Sequence, residues 1–206
     1  MCGSGRLLVP LAARGRKMHG VDLSAARLAQ CEVRLAARQL TAPLFRQDVT
    51  QMNLPFRYAC AFAAGAAFQC VTDPGAALGA LGRIRAHLVA PGFLLIDAEV
   101  PAASVQRLGA PLVEVRTVKL ADGSQIALRS ETTWWADARL VRAEHRYAHR
   151  MGAKRLEEEH ETVTQVWYPP EDLASLVREA GFEDVRIGVS PRTTSDAEGY
   201  TIEARL

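Results

Sequence analysis

The chain has 206 residues, 49% of them hydrophobic and 23% charged, with a formal net charge of +2. This is the composition of a globular chain able to bury a sizeable core, and its near-neutral balance gives no reason to expect nucleic acid as the main partner. No apolar run reaches the ~18 residues of a membrane span, and the start lacks the basic-then-apolar order of a secretory signal, so a cytoplasmic protein without a membrane partner is expected.

The elements follow in order. Cys2-Gly3-Ser4-Gly5-Arg6 is a small-residue turn. Arg6 to Gly15 then reads as a helix with Leu7, Leu8, Leu11 and Ala12 on one face. Lys17 to Leu23 is a short strand ending at Asp22. Ser24 is a good N-cap for a helix to Gln39, with Leu28, Cys31 and Leu35 on its apolar face. Leu44 to Asp48 is a second strand with an acidic end, followed by a polar loop, Val49 to Pro55. Tyr58 to Ala64 is nearly all apolar, as expected of a strand buried on both faces. Asp73 or Pro74 opens a helix to about Leu88, Pro91-Gly92 is a turn, and Phe93 to Ala98 is another buried strand. Alternating helices and strands predict a mostly parallel α/β sheet with right-handed crossovers.

The pattern changes at Leu112. From there to Tyr168 the helical period is gone. Val113–Val118, Ile126–Trp135, Arg139–His149 and Leu156–Trp167 read as strands, separated by turn signals at residues 121–124, 136–137 and 151–152. This predicts an antiparallel β meander inserted into the α/β part. Glu171 to Ala180 is a helix capped by Gly181, and Phe182–Val189 and Gly199–Leu206 close the chain as two strands. The expected organisation is one domain, with residues 1–110 as a cofactor-binding half, 111–168 as the insertion and 169–206 as a closing helix and hairpin.

Glycines at a turn let backbone approach a ligand, the first N–H groups of a helix face it, and a carboxylate at the end of the next strand can accept from a ribose diol. Cys2, Cys31, Cys60 and Cys70 stand far apart without a C-x-x-C pair, so neither a zinc site nor a disulfide scaffold is expected. The last three lie in apolar surroundings and read as buried. His145 and His149 share one face of a predicted strand but lie about 13 Å apart, too far for one metal ion.

Taken together, these motifs resemble class I S-adenosylmethionine-dependent methyltransferases of the small-molecule type. Gly3-Ser4-Gly5 looks like the second half of the family's glycine-rich motif. Asp22-Leu23 looks like its ribose-binding motif, and Asp48-Val49 like the pair that meets and packs on the adenine. Ala63 and Gly65 fall where the family lines the methionine end, and Phe68 and Gln69 at the mouth of the acceptor pocket. Leu88-Val89-Ala90-Pro91-Gly92-Phe93-Leu94-Leu95-Ile96 resembles the family's L-x-P-G-G-x-L-x-I segment, with Phe93 in place of the second glycine. Glu179-Ala180-Gly181-Phe182 matches its E-A-G-F. The resemblance implies a Rossmann-like fold, S-adenosylmethionine as cofactor, and methyl transfer to a small-molecule N or O acceptor. It also implies Trp167 and Tyr168 as further candidates for pocket lining, and the meander as a surface for a second copy. It assigns no catalytic base. The family's opening helix and first central strand have no counterpart here. Either that start lies upstream, something else fills the slot, or the chain is a weakened, truncated methyltransferase-like binding or assembly module.

Overall fold

The computed structural model describes residues 1–106, 110–190 and 196–206. The chain divides into two compact units, one formed by residues 1–98, 169–192 and 199–206, the other by 99–168 and 193–198.

The first unit begins with the small-residue turn and α1 (Leu8–Ala13), then β1 (Gly20–Asp22), α2 (Ala25–Ala36) and β2 (Leu44–Arg46). β1 and β2 pair in parallel, with Val21 opposite Phe45. Ser24 caps α2 as expected, its hydroxyl accepting from the Arg27 N–H at 3.2 Å. The α2 face predicted to be apolar is the buried one: Leu28, Cys31 and Leu35 are 7%, 0% and 3% exposed. Cys31 and Leu35 form a core cluster with Leu8 and Val9. Each aliphatic side chain so buried contributes about 1.5–3 kcal/mol against the unfolded chain.

The same unit then forms β3 (Tyr58–Ala63), α3 (Pro74–Ala86) and β4 (Leu88–Pro101). β3 and β4 pair in parallel, Ala63 opposite Ile96. The closing β9 (Glu183–Val189) and β10 (Ala197–Arg205), introduced here ahead of the meander strands, complete a sheet in the order β3-β4-β10-β9, with β10 and β9 antiparallel. Asp73 caps α3 by accepting from the Ala76 N–H at 2.7 Å. The core runs through Leu81 and Ile84 of α3, Leu94 and Ile96 of β4, and Ile202 of β10. His87 is a satisfied core histidine. Its Nδ1 lies 2.7 Å from the Arg83 carbonyl, so it donates there, and Nε2 accepts from the Leu54 N–H at 2.8 Å.

Two burial expectations are corrected. β3 and β4 are not covered on both faces. Leu94, Ile96 and Ala98 are buried, but Phe62 and Phe93 on the other face are 36% and 42% exposed. Cys60 is accordingly only half-buried, and Cys70 is exposed because it ends a 3-10 turn at the surface. The turn expected at Pro91-Gly92 appears as a bulge within β4, where the register against β3 shifts from Leu88 opposite Tyr58 to Phe93 opposite Cys60.

The parallel strands form two sheets, β1-β2 and β3-β4-β10-β9. Among the described residues no backbone ladder joins β1 to β3. Side chains link the two sheets instead. His19, just before β1, lies 3.1 Å from the Tyr58 hydroxyl and meets the Phe56 ring edge-on at 4.7 Å.

The second unit holds a four-stranded antiparallel sheet of β5 (Leu112–Lys119), β6 (Gln125–Trp135), β7 (Leu140–Met151) and β8 (Lys154–Val166), with the short α4 (Ala103–Gln106) before it. The strands match the predicted meander to within a few residues, and α5 (Pro170–Glu179) follows in the first unit. His145 and His149 share a face of β7. Each bonds a serine on the neighbouring segment, Ser130 and Ser124 respectively, at 2.8 Å.

Gly5 gives the sharpest stability test in this architecture. Its φ is +79°, and a Cβ there would lie 2.5 Å from Cys31 Sγ and 2.9 Å from Val9 Cγ2. Gly5→Ala is expected to cost about 2 kcal/mol or more, lowering Tm by about 4–8 °C for a chain of this size. Gly3→Ala, with φ +55° but open space around it, is expected to cost only about 1 kcal/mol. Thermal denaturation of both variants measures the difference.

Candidate active site

The candidate site is built at the carboxyl ends of the parallel strands, where an open α/β sheet presents its loops. Asp22 ends β1, is 8% exposed, and gathers the surrounding backbone. Its Oδ2 accepts from the Gly3 N–H at 2.8 Å, and its Oδ1 accepts from the Ser24 N–H at 3.0 Å. The Met1 ammonium stands 3.0 Å from Oδ2. The Cys2 N–H donates to the Val21 carbonyl at 2.8 Å, which lays the turn along the edge of β1. One carboxylate thus holds the turn, the strand end and the start of α2.

Burial by itself would raise the Asp22 acidity constant. The Ser24 N–H, the terminal ammonium and the Gly3 N–H outweigh it and hold the carboxyl below its ordinary value of 3.8. The neighbouring Cys2 thiol is pushed up to about 11, chiefly by burial, so it is a protonated packing group at neutral pH.

The glycines of the turn divide their roles. Gly3 has open space where a side chain would project, so its backbone is free to approach a ligand. Gly5 is buried against Cys31 and Val9 and serves packing. Ser4 is half-buried, and its carbonyl accepts from Arg34 at 3.3 Å.

At the end of β2, Asp48 Oδ1 accepts from the Thr50 N–H and hydroxyl at 2.9 and 2.8 Å, opening a short 3-10 turn. No partner is seen on Oδ2 among the described residues, so that oxygen is free to accept from a ligand. Leu23, beside Asp22, is 61% exposed, and Val49 is half-buried. Two carboxylates and two apolar side chains therefore flank the ends of adjacent paired strands, a donor-poor set suited to a diol, an amino group and a flat ring.

Past β3, Ala63 is buried and Gly65 is half-buried. Gly65 and Ala66 both adopt left-handed backbone, φ +70° and +58°. Phe68 and Gln69, expected at a pocket mouth, are 0% and 2% exposed. Phe68 is a core residue beneath the 3-10 turn. In the second unit, Trp167 and Tyr168 are 5% and 9% exposed, and the Trp167 N–H donates to the Arg139 carbonyl at 2.9 Å.

Residues 1–92 match the family described as a methyltransferase domain. The chain has the fold of S-adenosylmethionine-dependent methyltransferases. Solved structures share its fold over its whole length. A S-adenosylmethionine-dependent methyltransferase from Clostridium acetobutylicum aligns with 100% of this chain and 81% of its own, at a TM-score of 0.82 and 16% identity. CalS10 of Micromonospora echinaspora, described as an amino pentose methyltransferase and solved with S-adenosylmethionine bound, aligns over 100% and 80% at 0.76 and 21%. KedS8 of Streptoalloteichus, described as a sugar N-methyltransferase, aligns over 100% and 78% at 0.77 and 20%. No curated protein matches the sequence. Among the described residues, no group of three or more acidic, His or Cys side chains could hold a metal ion, and no helix is long and apolar enough to cross a membrane.

A residue that sequence reasoning missed, bonded to the candidate Gly65, is Asp97. Its Oδ2 accepts from the Gly65 N–H at 2.7 Å. The signal was present: an acid follows the apolar alternation Phe93-Leu95, and it lies just past the last β3–β4 pair, Ala63 opposite Ile96.

The Asp22 linkage has a definite sign. A carboxyl held below its unfolded value contributes stability that is fully present above that value and lost as pH falls through the folded one. Tm of the protein should therefore fall as pH drops below about 4. In Asp22→Asn, Tm should start lower at neutral pH and fall less steeply across that acid range. Scanning calorimetry on both proteins from neutral to acid pH reads the two slopes. Parallel slopes would remove Asp22 from the account.

Proposed function

We propose that this chain binds S-adenosylmethionine and transfers its methyl group to a nitrogen or oxygen of a small-molecule acceptor. The observation that carries the proposal is the convergence of Gly3, Asp22, Leu23, Asp48 and Val49 on one carboxyl edge of a methyltransferase domain. Asp22 has acceptor capacity for a ribose diol, and its own backbone bonds preset its orientation. The free oxygen of Asp48 suits an exocyclic amino group, with Leu23 and Val49 as apolar packing for the ring. Ala63 and Gly65 lie where the methionine end would be held. When bound, the cofactor supplies a methyl group already activated on a positively charged sulfur.

That activation sets what the protein must do. The leaving sulfur departs neutral, so holding donor and acceptor in line supplies most of the rate, worth up to ~7–11 kcal/mol in well-oriented systems. A general base matters only for an acceptor that arrives protonated, and then for about 10²–10⁴-fold. None is assigned here. The sugar and glycopeptide N-methylation described for neighbours of this fold makes an amine on a glycosylated small molecule the first acceptor class to test. We also propose the exposed Val113 and Val115 of β5, 46% and 67% exposed, as the meander surface for a second copy.

The division of the parallel strands into two sheets supports one alternative, a protein that keeps the fold but binds cofactor weakly and serves as an assembly module. Isothermal titration with S-adenosylmethionine separates the two. The enzyme reading expects a saturable isotherm that Asp22→Ala and Asp48→Ala each weaken by about 10-fold or more, the loss of one or two hydrogen bonds. A flat isotherm from the folded wild-type protein sinks it in favour of the module.

A further inference from the structure

We propose that Asp97 is a positioning residue, clamping the left-handed turn after β3 and thereby setting the methionine end of the cofactor site. The inference rests on the reading of this edge as a methyl-donor site. Asp97 lies near the carboxyl end of β4, and three contacts define its role. Its Oδ2 accepts from the Gly65 N–H at 2.7 Å. Its Oδ1 accepts from the Ser190 hydroxyl at 2.8 Å. Its own carbonyl accepts from the Ala66 N–H at 3.1 Å. One residue of β4 therefore holds both amides of the turn that leaves β3.

The turn needs a clamp. Ala66 has φ +58° and is 3% exposed. An alanine in that region costs about 1–2 kcal/mol, and such a conformation persists only where its surroundings fix it. The turn also starts the 3-10 segment Ala67–Cys70, where the Gln69 N–H donates to the Ala66 carbonyl at 3.1 Å. Releasing Gly65 and Ala66 therefore frees the segment after β3 as a whole. Ser190 fixes the other side. It is 2% exposed, and its N–H bonds the Gly199 carbonyl at 3.3 Å, tying the carboxylate to the end of the β9–β10 hairpin.

The same geometry separates positioning from proton transfer. Each Asp97 oxygen already accepts a bond from this chain, so its carboxylate is spent on orientation. An asparagine can reproduce both bonds. Its amide oxygen accepts from Gly65, and its NH₂ donates to the Ser190 hydroxyl, which can reverse its role. An alanine can reproduce neither.

The test uses two ligands that share the adenosine end. S-adenosylhomocysteine carries the amino-acid tail, and 5′-methylthioadenosine lacks it. By calorimetry, Asp97→Ala is expected to weaken S-adenosylhomocysteine about 10-fold and to leave 5′-methylthioadenosine within about 3-fold. Asp97→Asn should stay within about 3-fold of wild type for both. Amide exchange gives a readout without ligand: the Gly65 amide should exchange about 10-fold faster in Asp97→Ala, and near the wild-type rate in Asp97→Asn. Equal weakening of both ligands by Asp97→Ala, or an Asp97→Asn as impaired as Asp97→Ala, would overturn the proposal. So would unchanged Gly65 exchange. If Asp97→Ala does not fold, Ser190→Ala removes one of the two clamping bonds and should move the same readouts in the same direction by a smaller factor, and no movement overturns the proposal. If wild type binds neither ligand while Gly65 exchange responds to Asp97→Ala, the cofactor reading has failed and the clamp stands.

Discussion

The first half of this protein depends on where the Asp22 carboxylate spends its lone pairs. An unpaired carboxylate at 8% exposure is costly, and the chain answers with N–H groups from two directions. Gly3 reaches it from the turn, and Ser24 reaches it from the start of α2. The turn cannot drift from β1, and α2 cannot change its angle, without stranding a buried charge. The same arrangement aims the group at the strand edge, so fold stability and site geometry are one constraint.

Asp97 repeats this logic one sheet over. Again an acid near the end of a parallel strand collects N–H and O–H donors from chain segments far away in sequence, and again the product is a fixed turn at the carboxyl edge. On the proposed reading, Asp22 serves the ribose end of the cofactor and Asp97, through Gly65, the amino-acid tail. Both act at the carboxyl edge, where an open parallel sheet presents its loops to a ligand.

Much of this was legible in the residues. Ser24 and Asp73 announce their helices because capping is a local interaction within three residues. The meander declares itself because alternation along a strand needs no knowledge of its partner. Exposure was harder. Phe62 and Phe93 carry the residue types of a doubly covered strand, and only the three-dimensional layering reveals that one face stays open. Cys70 misled for the same reason, since apolar neighbours in sequence do not fix depth. The Asp97 clamp joins residues 32 and 93 positions away. No window along the chain brings Gly65, Asp97 and Ser190 together.

The interleaving of the two units has a consequence for assembly. β4 takes its second neighbour from β10, which the chain supplies only after the whole meander and α5. The meander's own pairings are hairpin-local and close over short loops, whereas the sheet that carries Asp97 waits for its most distant contact. During synthesis, β3 and β4 are made early and expose an unfilled edge until the final strand arrives. Chaperone dependence and losses to aggregation should therefore centre on that waiting edge, and stabilising the β4–β10 pairing would raise folding yield more than improving the meander.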